Sequence, residues 1–335
     1  MSSNIPSPEH FQDEVILKAA SDSAQSANPV VTVVTVCFNP LKDGRQRLLA
    51  MNLDSVERQT GLTLEHLIID GASSDGTLDF LSAYKNRCHD IRILSKADSG
   101  IYEAMNRGIA LARGKYVIFL NSDDYYHRPD GLALSVKALE ESGCSFTFAP
   151  VCPEGTKRFH THYHHPQRRL HKIFVTSILP HPSMLYRRTV LIEMGGYDQT
   201  YRLAADYDLT LRLIASGHKG CFVSCCFATF VMGGVSTQDV NHELDISENI
   251  RMIRNAHCEA FGVELTERES EFLVERGWYP RKYLSVYVAS QALVGRAFMG
   301  LPKGLAYRFV RCFNYVKYYL KSLFSSSSPD NAGKE

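Results

Sequence analysis

The sequence predicts an α/β protein built on a mainly parallel sheet. Short β-branched apolar runs alternate with stretches of helical periodicity from Val30 to Asp124. Most of those runs also stop abruptly on a polar or acidic turn. Alternation of this kind implies parallel strands joined by right-handed crossovers, with ligands bound beyond the carboxyl ends of the strands.

The elements follow in order. Residues 1–28, rich in Ser, Ala, Asp and Gln, read as a mobile tail with one short helix around Glu14–Ala20. Val30–Phe38 is a buried strand that stops at Asn39-Pro40. Arg45–Gln59 is helical, with Leu48, Leu49, Asn52 and Val56 at helical spacing. Leu64–Ile69 is a second strand, ending on Asp70-Gly71-Ala72-Ser73-Ser74-Asp75-Gly76, and Thr77–Tyr84 a second helix. Ile91–Leu94 is a short strand, and Ile101–Ala112 a helix stopped by Gly114. Tyr116–Leu120 is a strand that runs into Asn121-Ser122-Asp123-Asp124. Beyond it the pattern loosens. Gly131–Glu141 reads as helix, Ser145–Ala149 as strand, and 151–182 as an irregular region rich in His and Pro. Leu185–Tyr186 is a strand end, Thr189–Met194 a short helix, and a longer helix runs from near Asp206 to Ser216. Phe227–Met232 is a strand leading into Gly233-Gly234-Val235-Ser236, and 241–276 is charged and largely helical.

Composition narrows the class. With 335 residues and 44% hydrophobic content the chain can bury a sizeable core. A net charge of +1 gives no signal for nucleic acid, and none is expected as a partner. Nine cysteines at irregular spacing, behind a polar N-terminus without an apolar leader, predict free thiols in a reducing, cytoplasmic compartment. Cys221, Cys225 and Cys226 invite a metal, but no CxxC pair exists and buried structural cysteine is the expectation. His160, His162, His164 and His165 are expected in a solvated hairpin for lack of further ligand spacing.

The acidic motifs each carry a chemical reading beside a plain one. Asp70, ahead of small residues, can accept hydrogen bonds from a base or ribose, or cap a turn. In Asp98-Ser99-Gly100-Ile101 the acid or the serine caps a helix, or the helix start faces a nucleotide with Asp98 beside it and Asn106 one face further on. Asn121-Ser122-Asp123-Asp124 is the sharpest signal. A divalent ion on a diphosphate needs hard oxygen ligands at a rigid position, and one or two carboxylates suffice. Asp123 would be that ligand, with Asp124 a supporting group or a turn residue. Asp206 and Asp208 stand two apart on a helix start, so one of them faces the cleft, as a general base or as compensation for the helix dipole. His181, between prolines, is a metal ligand, an acceptor contact or a structural residue.

Together these segments resemble glycosyltransferase family 2 over about residues 30–236. Val33–Asn39, Ile68–Thr77, Asp98–Gly108, Phe119–Asp124, Gly195-Gly196-Tyr197-Asp198 and Ala204–Leu213 carry the likeness, which is nearest to the branch that builds bacterial surface polysaccharides. The resemblance implies a GT-A (Rossmann-like) fold: a mixed, mainly parallel sheet flanked by helices, with a C-terminal helical extension. It implies an inverting transferase that moves a sugar from a nucleoside diphosphate, UDP favoured, to a glycan or lipid-linked acceptor. Residues 29–125 would be the nucleotide-binding half of a unit at 29–240 and 126–240 its acceptor half, with a helical, basic extension over 241–325 and a disordered tail over 326–335. Phe38, Asn39, Asp70, Asp98, Asn106, Asn121, Ser122 and Asp123 would line the donor site, with Asp123 holding Mn²⁺ or Mg²⁺. Asp206 would be the catalytic base, and His181, Asp208, Gly233, Gly234 and Ser236 would serve the acceptor or a lid. The first position of the family's DxD motif is Asn121, which keeps an oxygen acceptor and loses a charge.

From Gly277 to Pro329 there is no acid against eight Lys or Arg, with aromatics interleaved. Leu305, Phe309, Cys312, Phe313, Val316 and Leu320 would share one helix face. A basic amphipathic helix with aromatic anchors predicts a membrane-surface element over 277–325, peripheral on the inner face of the plasma membrane. The alternative is packing on the catalytic unit or a homo-oligomer. Two other functions compete: a nucleotidyltransferase, which usually needs a basic glycine-rich loop that Cys37-Phe38-Asn39-Pro40 lacks, and a non-catalytic binding protein, which needs no base.

Overall fold

The computed structural model describes residues 5–6, 16–17, 28–42, 44–85, 91–154, 164–233, 242–277, 279, 281–299 and 301. In chain order these form strands β1 (Ile16–Leu17), β2 (Val31–Cys37), β3 (Leu64–Asp70), β4 (Ile91–Ser95), β5 (Tyr116–Phe119), β6 (Tyr125–Tyr126), β7 (Phe146–Phe148), β8 (Val151–Glu154), β9 (Leu185–Arg187), β10 (Gly220–Phe222), β11 (Ala228–Val231) and β12 (Phe298–Met299). The helices are α1 (Gln46–Glu57), α2 (Thr77–Lys85), α3 (Ile101–Leu111), α4 (Gly131–Ser142), α5 (Arg188–Glu193), α6 (Ala205–Ala215), α7 (His242–Phe261), α8 (Glu267–Arg276) and α9 (Leu284–Ala297).

A nine-stranded sheet runs in the order β1-β4-β3-β2-β5-β9-β7-β10-β12, and a three-stranded sheet in the order β6-β11-β8. In the large sheet β4, β3, β2 and β5 are mutually parallel, and β9 is antiparallel to both its neighbours. The alternation of β2 explains its place at the centre. Val31 and Val33 enter one apolar layer while Val34 and Val36 enter the opposite one, so both faces are buried, as crossover helices require. Gly114 sits where the chain turns into β5; a Cβ there would lie 2.8 Å from the carbonyl oxygen of Tyr116, so only glycine fits.

The core elements fall where periodicity puts them, within one or two residues. The short strands do not. β6, β8, β10 and β12 have two to four residues each, too few for a period to show. In the segment expected as a tail with a short helix, Ile16–Leu17 instead pair antiparallel with Leu94 and Ile93. Leu284–Ala297 is a packed helix that buries Val286, Ser290, Val294 and Ala297, and Phe298–Met299 extends the large sheet beside β10. Among the described residues no helix is long and apolar enough to cross a membrane. The expected amphipathic face from Leu305 to Leu320, the tail at 326–335, and Gly234 and Ser236 of the lid lie outside the described residues.

Candidate active site

The chain steps outward through β2, β3 and β4 and then returns to the other side of β2 as β5. That reversal opens a crevice at the carboxyl ends of the strands, and most of the acidic turns meet there.

After β2, the ring of Phe38 stands 67% exposed. Asn39 follows with φ 47°, a left-handed conformation that asparagine tolerates. Its side-chain oxygen accepts from the Ser74 amide at 2.8 Å, and its own amide donates to Ser73 Oγ at 2.8 Å, which ties the two loops together. Asp70 closes β3 and is fully buried. Its Oδ2 accepts from the Ser73 amide (2.9 Å) and from Ser95 Oγ (2.6 Å), so its carboxylate is engaged within the protein and shapes this loop. Asp98 is half-buried on the other side of Gly71. A Cβ on Gly71 would come within 2.9 Å of Asp98 Oδ2 and 3.3 Å of the Phe38 ring. Burial raises the Asp98 carboxyl above its usual range, against a hydrogen bond from Gly100. Asn106 does not reach this pocket. It is buried, donates to the Tyr197 carbonyl and accepts from the Tyr197 amide, both at 2.8 Å, and so fastens that loop to α3 in place of the expected donor contact.

The turn after β5 is held from below by α1. Asn52, a polar residue on the buried face of α1, donates through Nδ2 to the carbonyls of Asn121 (2.8 Å) and Asp124 (2.9 Å). Asp124 is fully buried and accepts from the Val231 amide at 2.9 Å, which makes it a brace to β11. Asp123 and Ser122 remain at the surface of the crevice, each half-buried. Arg45 Nη1 donates to Asp123 Oδ2 at 2.7 Å, and Nη2 donates to the carbonyl of Gly233. Burial raises the Asp123 carboxyl and the Arg45 charge opposes it. The buried Asn121 Oδ1 has no hydrogen-bond partner. The Asp123 carboxylate and two buried oxygens of the same turn without a hydrogen-bond partner, Asn121 Oδ1 and Asp124 Oδ2, are hard-oxygen donors of the kind that Mg²⁺ or Mn²⁺ takes, with diphosphate and water as the other ligands.

The second half of the site stands on α6. Asp206, in its first turn, is half-buried and accepts from Tyr102 Oη at 3.4 Å. Tyr102 stacks on Tyr197 (ring centroids 5.6 Å), Tyr197 meets Phe119 edge-on (5.2 Å), and Phe119 stacks on His181 (5.6 Å). His181 shares a hydrogen bond between Nε2 and Tyr197 Oη at 2.9 Å. This buried aromatic chain links the last residue of β5 to Asp206. Burial lowers the His181 pKa, which keeps the imidazole neutral, although the Asp206 charge opposes it. Asp208 is turned inward instead of toward an acceptor or lid. It takes Arg212 Nε at 2.7 Å, and Arg212 in turn holds the carbonyls of Met194 and Gly196.

Sequence reasoning missed four of these residues as parts of the site. Arg45 showed only as a basic residue after the first strand, and Asn52 only as a polar residue on an apolar face. Tyr102 and Tyr197 lay inside segments that carry the family likeness but were given no role of their own, because aromatic residues at helix starts and after glycines are usually core.

Comparison with known proteins bears on the fold and the family. The model of "Glycosyl transferase family 2" matches residues 32–195, a span that includes Asp70, Asp98 and Asp123 and stops short of Asp206. A Mycobacterium tuberculosis protein named an uncharacterized glycosyltransferase is 32% identical over 55% of this chain and 68% of its own length. A PGL/p-HBAD biosynthesis glycosyltransferase of the same species is 30% identical over 49% of this chain, and the match spans 63% of that relative. Among solved structures, Staphylococcus aureus TarS 1–349 in complex with UDP-GlcNAc has a TM-score of 0.56 at 13% identity, covering 87% of this chain and 91% of that one. The mannosyltransferase PcManGT of Pyrobaculum calidifontis, in complex with GDP-Man and Mn²⁺, has a TM-score of 0.55 at 18% identity, covering 90% and 89%. The architecture is the GT-A fold, and the extent and identity of the sequence match show that the chain belongs to glycosyltransferase family 2.

Proposed function

We propose that this protein transfers a sugar from a nucleoside diphosphate, a UDP-sugar by preference, to a hydroxyl of a glycan or lipid-linked acceptor, with inversion at the anomeric carbon, in bacterial surface-polysaccharide synthesis. The observation that supports this is the buried aromatic chain that ties the end of β5, just ahead of Asp123 and its Arg45 partner, to Asp206 at the start of α6.

Phe38 offers its exposed ring to the base, and Asp98 accepts from it, on a loop that Asp70 and Asn39 keep in shape. A divalent cation, Mn²⁺ or Mg²⁺, would be held by Asp123 and Asn121 and would supply charge compensation for the diphosphate. Arg45 contributes a second positive charge beside Asp123, where negative charge gathers as the leaving group departs. On the acceptor side, Asp206 takes the hydroxyl proton as that oxygen bonds to the anomeric carbon. The bond to the diphosphate breaks with its electron pair on the leaving oxygen. Tyr102 keeps the Asp206 carboxylate aimed, and neutral His181 lines the acceptor approach. Gly233, with φ 103° and its carbonyl on Arg45, would serve as the hinge of a lid. The basic C-terminal segment would bring the enzyme to a membrane carrying a lipid-linked acceptor.

The test is a panel of nucleotide sugars offered to the purified full chain with Mn²⁺, Mg²⁺ or EDTA. Metal-dependent release of one nucleoside diphosphate, lost in Asp123→Ala, is expected. Release of pyrophosphate from a nucleoside triphosphate would replace this reading with a nucleotidyltransferase. Binding without turnover that survives Asp206→Asn and every acceptor tried would replace it with a binding protein.

A further inference from the structure

The small sheet gathers three side chains that the cleft does not use. His127 follows β6, Cys152 lies on β8, and Cys226 precedes β11. Their ligand atoms all lie within 4.8 Å of one another. In sequence they are far apart, so no CxxC spacing announces them. We infer that His127, Cys152 and Cys226 form a binding site for a thiophilic divalent cation, zinc by its chemistry, separate from the acidic cleft.

The two sulfurs stand 3.1 Å apart. Two thiolates on a tetrahedral zinc stand about 3.8 Å apart, given zinc–sulfur bonds of about 2.3 Å, whereas a disulfide needs about 2 Å. The pair sits between these limits, and the third donor decides: a disulfide has no use for an imidazole. The ring of His127 is already held as a metal ligand's ring is held. Its Nδ1 lies 3.0 Å from Thr229 Oγ1, and Thr229 registers directly with Cys152 across the β11–β8 pair. The Cys226 carbonyl can only accept, so Nε2–H donates to it at 3.1 Å, and Nδ1 is left as the ligand nitrogen, its lone pair passing from the Thr229 hydroxyl to the ion.

Both cysteines are partly exposed and His127 is exposed, which gives the ion a path in and room for a water as fourth ligand. Such an ion would pin β6, β8 and β11 at one end. β6 follows directly on Asp124, and the far end of β11 leads to Gly233 beside Arg45.

The reduced, metal-free full chain is titrated with cobalt(II) alone. A thiolate-to-cobalt charge-transfer band and the visible bands of a four-coordinate ion are expected at one equivalent, reversed by zinc. They should persist in Asp123→Ala, which separates this site from the cleft. They should vanish in Cys152→Ser and Cys226→Ser. Binding should weaken at least tenfold in His127→Ala, a change of an exposed side chain that keeps the fold testable. Absence of the bands, or bands unchanged in Cys226→Ser, overturns the inference. So does a Cys152–Cys226 disulfide in freshly purified protein whose reduced form takes up no cobalt.

Discussion

At Gly71 the pocket depends on the absence of a single methyl group. A Cβ would crowd Asp98 Oδ2 at 2.9 Å and press the Phe38 ring at 3.3 Å, the two groups assigned to the base. Gly71→Ala should therefore weaken nucleotide binding by about tenfold, on the order of 1.4 kcal/mol, with little change in melting temperature. Calorimetry with UDP measures it, and unchanged affinity would remove both residues from the base pocket. His66 makes a different prediction. It is buried against Thr35 Oγ1 at 2.9 Å, and burial takes its pKa from 6.5 down to about 3. The unfolded chain takes up a proton below pH 6.5 that the folded chain refuses, so its stabilising effect is complete above 6.5 and is lost as pH falls toward 3. The slope is about 1.4 kcal/mol per pH unit for each such proton. His257, lowered to about 4 by burial, adds to the same limb. His66→Gln should remove roughly half of that acid slope in urea melts between pH 6 and pH 4; an unchanged slope would mean that His66 charges without penalty. At this scale the sequence was legible in position, with Asp123 just past the end of β5 and Asp98 just ahead of α3. It was silent where a partner comes from far along the chain, as Arg45 does for Asp123.

At the scale of elements, α6 shows why two acids in one motif do different work. Residues two apart lie about 200° around a helix, so Asp206 and Asp208 cannot share a direction. Asp206 is half-buried beside the Tyr102 hydroxyl. Asp208 braces Arg212, which fixes the Gly195–Gly196 turn, where a Cβ on Gly196 would collide with Asn106 Oδ1. The start of α6 is set from another element altogether. Glu248 of α7 accepts from the amides of Arg202 (2.6 Å), Leu203 (2.9 Å) and Ala204 (3.2 Å), so the helical extension fixes where the proposed base stands. The helix and the divergence of its acids were readable from spacing; the anchor was not, because one glutamate in a charged helix carries no mark of its target. The two asparagine variants should separate cleanly. Asp206→Asn should lower turnover by about 10²–10⁴-fold at unchanged melting temperature. Asp208→Asn leaves Arg212 without its charge partner in a site that is only 14% exposed and should cost about 2–4 kcal/mol of stability. If Asp208→Asn instead abolished turnover in a stable protein, the roles would be reversed.

At the scale of the whole molecule, composition and packing draw the C-terminal boundary in different places. The acid-free, basic character begins at Gly277, yet the described residues beyond it belong to the body of the enzyme. Val294, Ala297 and Phe298 are buried in the same apolar layer as Phe119 and Tyr197. Phe298 meets Phe148 edge-on at 5.4 Å, and Gln291 Nε2 donates to the His171 carbonyl at 2.8 Å. A cut after Arg276 would therefore strip a strand and a helix from the core and confuse unfolding with loss of membrane binding. A cut after Leu301 leaves that packing intact and removes Lys303, Arg308, Arg311, Lys317 and Lys321 together with the apolar residues between them. Basic residues near an anionic surface contribute about 1 kcal/mol each and are screened by salt. The full chain should thus float with vesicles containing anionic lipid and be released as salt rises, and the chain ending at Leu301 should not float while it still hydrolyses its nucleotide sugar. Equal flotation of both would move the contact onto the catalytic body; flotation of neither would leave the basic segment to a protein partner or a second copy of the chain.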